Sequence, residues 1–213
     1  MKTTIKIILG IIILFLGYKC YESISVPQKF EILKKHRYDI VKNRLIDIRK
    51  AQEAYKSVYD VYTHSFDTLI NFIKYDSIRM VRSIGSLSDE QIEAGMTESE
   101  AIKKGLILRD TIKVAALENV FSEDFPIEDI RYVPFTNKTY EFIMGATVLT
   151  TKSGIDIPVF EARVSNTIIF KNIYDKYKME IEQENGERIR LKKYPGMMVG
   201  SLKEANNNVG NWE

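Results

Sequence analysis

Cysteine, histidine and tryptophan are almost absent from this chain, and each scarcity removes a class of explanation. The single cysteine, Cys20, forbids an internal disulfide, so stability must come from packing. The two histidines, His36 and His64, have no cysteine or second histidine at ligand spacing, and no zinc signature is present. There is no glycine-rich phosphate loop, no nucleophile elbow and no regular acidic calcium loop. Adjacent carboxylates such as Asp89-Glu90 and Glu123-Asp124 read as solvated surface. An excess of one charge is missing as well. With Lys2 and Lys6 set aside, 29 basic residues face 29 acidic ones, which excludes a strongly basic nucleic-acid binder. The chain therefore reads as non-enzymatic, with no cofactor, no metal and no nucleic-acid partner. A site assembled from distant residues, making it a membrane-tethered enzyme, is kept as an alternative.

Long apolar runs are also missing, except at the start. Ile7, Ile8, Leu9, Gly10, Ile11, Ile12, Ile13, Leu14, Phe15, Leu16, Gly17 and Tyr18 stand uninterrupted between Lys6 and Lys19. A helix through Thr3 to Tyr21 rises roughly 28 Å, close to the roughly 30 Å hydrocarbon core of a bilayer. Residues 1–25 are thus expected to form a membrane anchor, with Tyr18 and Tyr21 in the interfacial belt. A signal peptide is the rival reading, although Ser23-Ile24-Ser25 offers only a poorly specified cleavage site. Cleavage there would release an exported soluble binding domain. Gly17-Tyr18-Lys19 before Cys20 does not suit a lipoprotein signal. Lysines and arginines just after the run favour a cytoplasmic domain by simple count. The layout of short basic tail, apolar run and large polar domain favours export. The expectation is a single-pass membrane protein with its C-terminal domain outside the cytoplasm, in contact with membrane lipid.

Beyond the run the pattern turns helical, with a bend expected at Pro27. Phe30, Leu33, Ile40, Val41, Leu45, Ile48, Ala51, Tyr55, Val58 and Tyr59 fall on one face at helical spacing, which predicts a helix of roughly 45 Å. Arg37 and Arg44 interrupt the first half of that face, and from Leu45 it carries no charge. A long helix needs its apolar face covered, so the clean half is expected to dock and residues 26–44 to stand clear as a stalk. Arg37 and Arg44 then either snorkel or form a candidate interface with a neighbouring copy. Strict heptads fail at Arg37, Arg44 and Asp47, against a long coiled coil. Residues 19–64 carry ten basic and six acidic side chains, and residues 88–129 four and eleven. That polarity suits anionic lipid or head-to-tail contact between copies, and also ordinary solvated faces.

The stretch Leu45-Ile46-Asp47-Ile48-Arg49-Lys50-Ala51-Gln52-Glu53-Ala54-Tyr55-Lys56, followed by Tyr62-Thr63-His64-Ser65-Phe66-Asp67-Thr68-Leu69, resembles bacterial type IV pilins and the pseudopilins of type II secretion. The resemblance covers about the first third of the chain. It implies an α+β, pilin-like build: an N-terminal transmembrane helix continuing into a long helix packed on a small, mainly antiparallel β-sheet. It also implies that the membrane is the bacterial inner membrane and that the domain is periplasmic. The role it implies is that of a structural or interaction subunit of an envelope or secretion assembly, with other protein subunits or copies of itself as partners. In those families a glycine cleavage site precedes the helix and a glutamate lies five residues into it. Here Gly10 lies inside the run and no acidic residue precedes Glu22, so leader processing and that charge pairing are not implied. The ending from Tyr194 to Glu213 resembles a family of uncharacterised bacterial envelope proteins.

Ser65 can cap a helix through Tyr75, and residues 77–84 can form a strand. Between Gly85 and Gly105 an acidic insertion holds a capping box, Thr97 to Glu100. Strands are expected over 106–114, 130–135, 140–150 and 155–164, with Lys152-Ser153-Gly154 turning the last pair, followed by a short helix from Ser165 to Ile173. Residues 178–182 and 188–191 read as a hairpin about Asn185-Gly186, with Glu180 and Glu182 opposite Arg188 and Arg190. The globular domain is expected over 45–202. A polar tail over 203–213 is expected to be mobile unless Trp212 anchors it to a pocket or partner, which makes Trp212 a candidate interface residue.

Overall fold

The computed structural model describes residues 2–84, 87–93, 95–106, 108–151 and 153–213. One helix, α1 (Lys2–Tyr59), runs for 58 residues, roughly 87 Å at helical rise. The helix is not ended at Pro27, whose missing N–H removes one backbone bond. Phe30, Val41, Leu45, Ile48 and Ala51 on one face are all buried. Docking therefore begins at Phe30, and the expected free stalk over 26–44 is corrected: the helix joins the core well before the charge-free half of its stripe. The two arginines did not prevent this, because each found backbone carbonyls on the domain.

After α1 the chain turns into α2 (Phe66–Tyr75), capped by the Ser65 side chain accepting from the Thr68 N–H. Phe66, Leu69, Ile70, Phe72 and Ile73 of α2 are buried. A two-stranded antiparallel ribbon follows, β1 (Ser77–Ile84) with β2 (Leu108–Ala115). Between its strands lie α3 (Asp89–Glu93) and α4 (Glu98–Lys103), and α4 starts with the expected capping box. Gly85 and Lys152, named above as part of the insertion and of a turn, lie outside the described residues. A short α5 (Ala116–Val120) and a 3-10 turn (Ile127–Arg131) lead to the main sheet of β3 (Ile143–Thr150), β4 (Asp156–Ser165) and β5 (Gly196–Gly200). All pairings in it are antiparallel, with β4 central. Between β4 and β5 stand α6 (Asn166–Ile169), a 3-10 turn over Lys171–Ile173 and α7 (Lys178–Arg190). A long N-terminal helix against a small antiparallel sheet makes the class α+β.

Three local expectations fail for identifiable reasons. Residues 178–190 are helix, not hairpin: Tyr177 and Ile181 are buried, and Asn185 and Arg188 continue that face toward α1 at helical steps. Asn185-Gly186 sits inside the helix because the Asn185 carboxamide accepts from Asn166, and Lys192, at φ 56°, ends the helix instead. Arg188 accordingly pairs with Glu184 one turn earlier, at 2.7 Å, rather than across strands. Residues 130–135 give a 3-10 turn and a single bridge, Tyr132 to Glu141, because Pro134 and positive φ at Phe135, Asn137 and Lys138 turn the chain. The strand β5 went unread because two glycines bound it. At Gly200, φ is +71° and a Cβ would lie 2.1 Å from the Phe160 carbonyl oxygen, so only glycine fits there.

The tail is docked instead of loose. Gly210 bridges Val199, the Asn211 N–H donates to the Met198 carbonyl at 3.0 Å, and the Asn211 side chain serves Met198 N–H and Gly196 C=O. The terminal Glu213 meets Arg49 of α1 at 2.8 Å. Asparagines suit this role because they tolerate left-handed backbone, as at Asn207 and Asn208, while supplying both donors and acceptors.

The structure also gives the Ala51-Gln52 pair a purpose. Ala51 is buried where a larger side chain would meet the core, and Gln52, fully buried, clamps the turn after α1. Its Nε2 donates to the Thr63 carbonyl at 2.6 Å and its Oε1 accepts from the Thr63 N–H at 3.1 Å. Gln52→Ala strands both backbone groups, so equilibrium denaturation should show a loss of about 2–4 kcal/mol. A loss below about 0.5 kcal/mol would show that the turn does not depend on the clamp.

Candidate membrane-proximal interface

The apolar run of α1 has no cover among the described residues. Its window from Ile5 has a mean hydropathy of 1.8 and none of it is buried. Ile7 is 60% exposed and Leu14 76%, and Ile8, Leu9, Ile11, Ile12, Ile13, Phe15, Leu16 and Tyr18 are exposed with them. The helix is long and apolar enough to cross a membrane. Lys19 and Glu22 pair at 2.7 Å at the end of the run, where the chain becomes polar.

Just beyond, α7 is latched alongside α1. The Lys34 ammonium donates to Glu31 at 2.7 Å and to Glu184 at 2.9 Å, and Arg188 Nε donates to the same Glu184 carboxylate at 2.7 Å. The Arg188 guanidinium lies 5.5 Å from the Tyr38 ring centre. The Tyr38 hydroxyl donates to Asn166 Oδ1 at 2.7 Å, and Asn166 Nδ2 donates onward to Asn185 at 2.9 Å. Burial opposes the charge on Glu184, but its hydrogen bonds from Arg188 and Lys34 outweigh this and hold its pKa below the ordinary 4.5. Burial likewise opposes the Lys34 charge and is outweighed by Glu31 and Glu184, which raise its pKa above 10.5. Burial pushes the Tyr38 phenol upward, so it remains a donor.

Between α1, just beyond its apolar run, and α7 lies an open groove of about 580 Å³. Val26, Pro27, Phe30 and Met179 give it apolar surface, and Glu22, Glu31, Glu180, Glu184 and Glu187 face it against one cation, Lys19. Sequence reading missed the α7 residues of this groove because it placed them on a hairpin. The spacing of Glu184 to Arg188 was the signal that a helix pairs them.

The candidate interface arginines lie elsewhere than expected. Arg37 is only 5% exposed and donates from Nη1 to the Ile169 carbonyl at 2.7 Å, its guanidinium 4.6 Å from the Phe135 ring centre and 5.9 Å from that of Phe170. Burial lowers its pKa, and its Nε has no partner among the described residues. Arg44 donates to the Asp129 carbonyl. Arg37 is thus an internal brace, which corrects the expectation that it snorkels or contacts a neighbouring copy, and the partly buried Arg44 is tied to the domain by its guanidinium. Trp212 packs, half-buried, against this molecule's own core beside Tyr38 and Met197. Tyr62 packs on Phe160 of the sheet, whereas Tyr55 and Tyr59 pack on Phe72 of α2. His36 lies near Phe135, and among the described residues no group of three His, Cys, Asp or Glu could hold a metal.

Two outcomes test the braces. Glu184 ionises more readily in the folded chain, so its contribution is complete above pH 4.5 and is lost as pH falls through its lower folded-state pKa. Lys34, shifted the other way, contributes fully below pH 10.5 and is lost as pH rises through its higher folded-state pKa. Glu184→Gln should cost about 1–2 kcal/mol at neutral pH and flatten the fall of Tm below pH 4.5. An unaltered acid limb would separate Glu184 from stability. Arg37→Ala should cost about 2–4 kcal/mol, whereas Arg37→Met, which keeps the packed stem and removes an unpaired buried charge, should cost less than half of that by chemical denaturation. Equal losses would contradict the packing role assigned to the stem.

No family model, curated protein or solved structure matches this chain.

Proposed function

We propose that this protein is a non-enzymatic, single-pass membrane protein that acts as a structural or interaction subunit of an envelope assembly of pilin-like or pseudopilin-like build. In this reading the apolar half of α1 lies in the bacterial inner membrane, with the domain on the periplasmic side. The observation that carries it is the combination of an entirely uncovered apolar helix with its unbroken continuation into the core from Phe30. Nine Ile, Leu and Phe side chains from Ile7 to Leu16 favour bilayer insertion by roughly 3–5 kcal/mol in total. Lys6 and Lys19 at the ends can reach the headgroups.

The physical consequence is rigid placement. A domain hung on a flexible linker samples many heights and tilts, whereas this domain is built around the same helix that anchors it. Neighbouring copies are therefore presented to each other at one height, which favours lateral assembly. The pilin-like character is supported by the long helix backing a small antiparallel sheet and by the Ala51-Gln52 segment at its end.

Membrane fractions washed in alkaline carbonate should retain the protein in the pellet, and mass determination should find residues 5–25 present. Protease added to spheroplasts should digest the domain. A carbonate-soluble chain beginning near Val26 would replace the anchor with a cleaved signal, and a protease-protected domain would reverse the orientation.

A further inference from the structure

We propose that the groove between α1 and α7 receives the back of the α1 helix from a second copy of this chain, making a head-to-tail contact just outside the membrane. The inference rests on the anchored reading above, because anchoring holds both surfaces at one height.

The groove offers an apolar floor of Val26, Pro27 and Met179, the last 78% exposed. Its walls are acidic, and the acidity is only partly neutralised within the molecule. Glu22 pairs with Lys19, Glu31 with Lys34, and Glu184 with both Lys34 and Arg188. Glu180 and Glu187 make no ion pair among the described residues. A complementary surface is therefore apolar along its centre, cationic at its edges, and available at the height of residues 19–31.

The face of α1 turned away from the domain has that character. Tyr21, Ile24, Gln28, Ile32 and Lys35 follow one another at three- and four-residue steps, and so form one stripe opposite Phe30, Arg37 and Val41. Every member is exposed, Ile32 to 74%. Lys35 at its end and Lys29 beside it are exposed and make no ion pair among the described residues. Stripe and groove occupy nearly the same span of the same helix, so two parallel anchored copies present one to the other without sliding. The two surfaces are different patches of the chain, which makes the contact heterologous and able to propagate through a row of copies. Anionic lipid is a poorer occupant, since the groove would set its phosphate against the five glutamates.

The test places cysteines on the full-length chain in a Cys20→Ser background, with two differently tagged versions, Ile32→Cys and Met179→Cys, coexpressed and oxidised in intact membranes. Both positions are exposed, so folding is retained, and thermal unfolding checks it. A disulfide joining the two tags, absent when either version is expressed alone, is the expected result. Lys29→Glu with Lys35→Glu in the Ile32→Cys chain should lower its yield about three- to tenfold, the size expected of two exposed ion pairs. Glu180→Lys with Glu187→Lys in the Met179→Cys chain should restore it. Crosslinking of Ile32→Cys to itself would show a symmetric contact and overturn the proposal. Background crosslinking with the protein still in the carbonate pellet would overturn it too, leaving the anchor intact. Loss from the pellet would overturn both.

Discussion

Everything in this molecule depends on one backbone constraint: a single uninterrupted helix carries two different kinds of surface. Its first part carries the uninterrupted apolar run from Ile7 to Tyr18, which is exposed, whereas its second part is buried on one face and wetted on the other. An α-helix can do both because all of its interior backbone groups are satisfied within the segment, whatever surrounds it. The change of environment is therefore written entirely in side chains, from Lys19-Glu22 at the boundary to Phe30 at the first buried position. Proline at 27 falls between the two regimes, where loss of a backbone bond is least costly because water can reach the freed carbonyl.

Charge is handled differently along the docked part. Arg37 and Arg44 would be costly on an apolar face, yet each donates to a backbone carbonyl of the domain, and Arg37 adds two aromatic faces. Lys34 instead uses carboxylates from both helices, so that α7 is fastened to α1 by a shared acid, Glu184. At the far end Arg49 holds the terminal Glu213, and Asn208 reaches Tyr62 and Glu53. The polar groups of α1 thus act as fasteners at successive heights, between which the apolar stripe packs.

Much of this was legible in the sequence. The apolar run, the helical stripe, the Ser65 cap, the Thr97 capping box and the β3–β4 pair each follow from local chemistry. What was not legible was decided by tertiary contacts. Asn185-Gly186 has a strong turn signal, but it lost to the burial of Ile181 and to a hydrogen bond from Asn166, a residue 19 positions away. The arginines read as exposed because nothing local shows that the Ile169 and Asp129 carbonyls will reach them. The tail read as loose because asparagine and glycine are usual in mobile ends, and only the edge of β5 gives them partners. The groove stayed hidden for the same reason as α7, since five of its twelve lining residues were placed on a hairpin.

The two functional readings differ in how much they ask of this frame. Anchoring requires only that the bare helix meet lipid, whereas assembly requires that the domain not swing on its anchor. Rigidity across Pro27 is therefore the central claim. Pulsed electron–electron distance measurement on the protein in lipid vesicles, with spin labels at Ile13 and Asn43 and Cys20 replaced by serine, tests it directly. Thirty residues of unbroken helix predict a single narrow distance near about 45 Å. A broad or distinctly shorter distribution would mean that the helix bends or melts between membrane and domain, and would contradict the account.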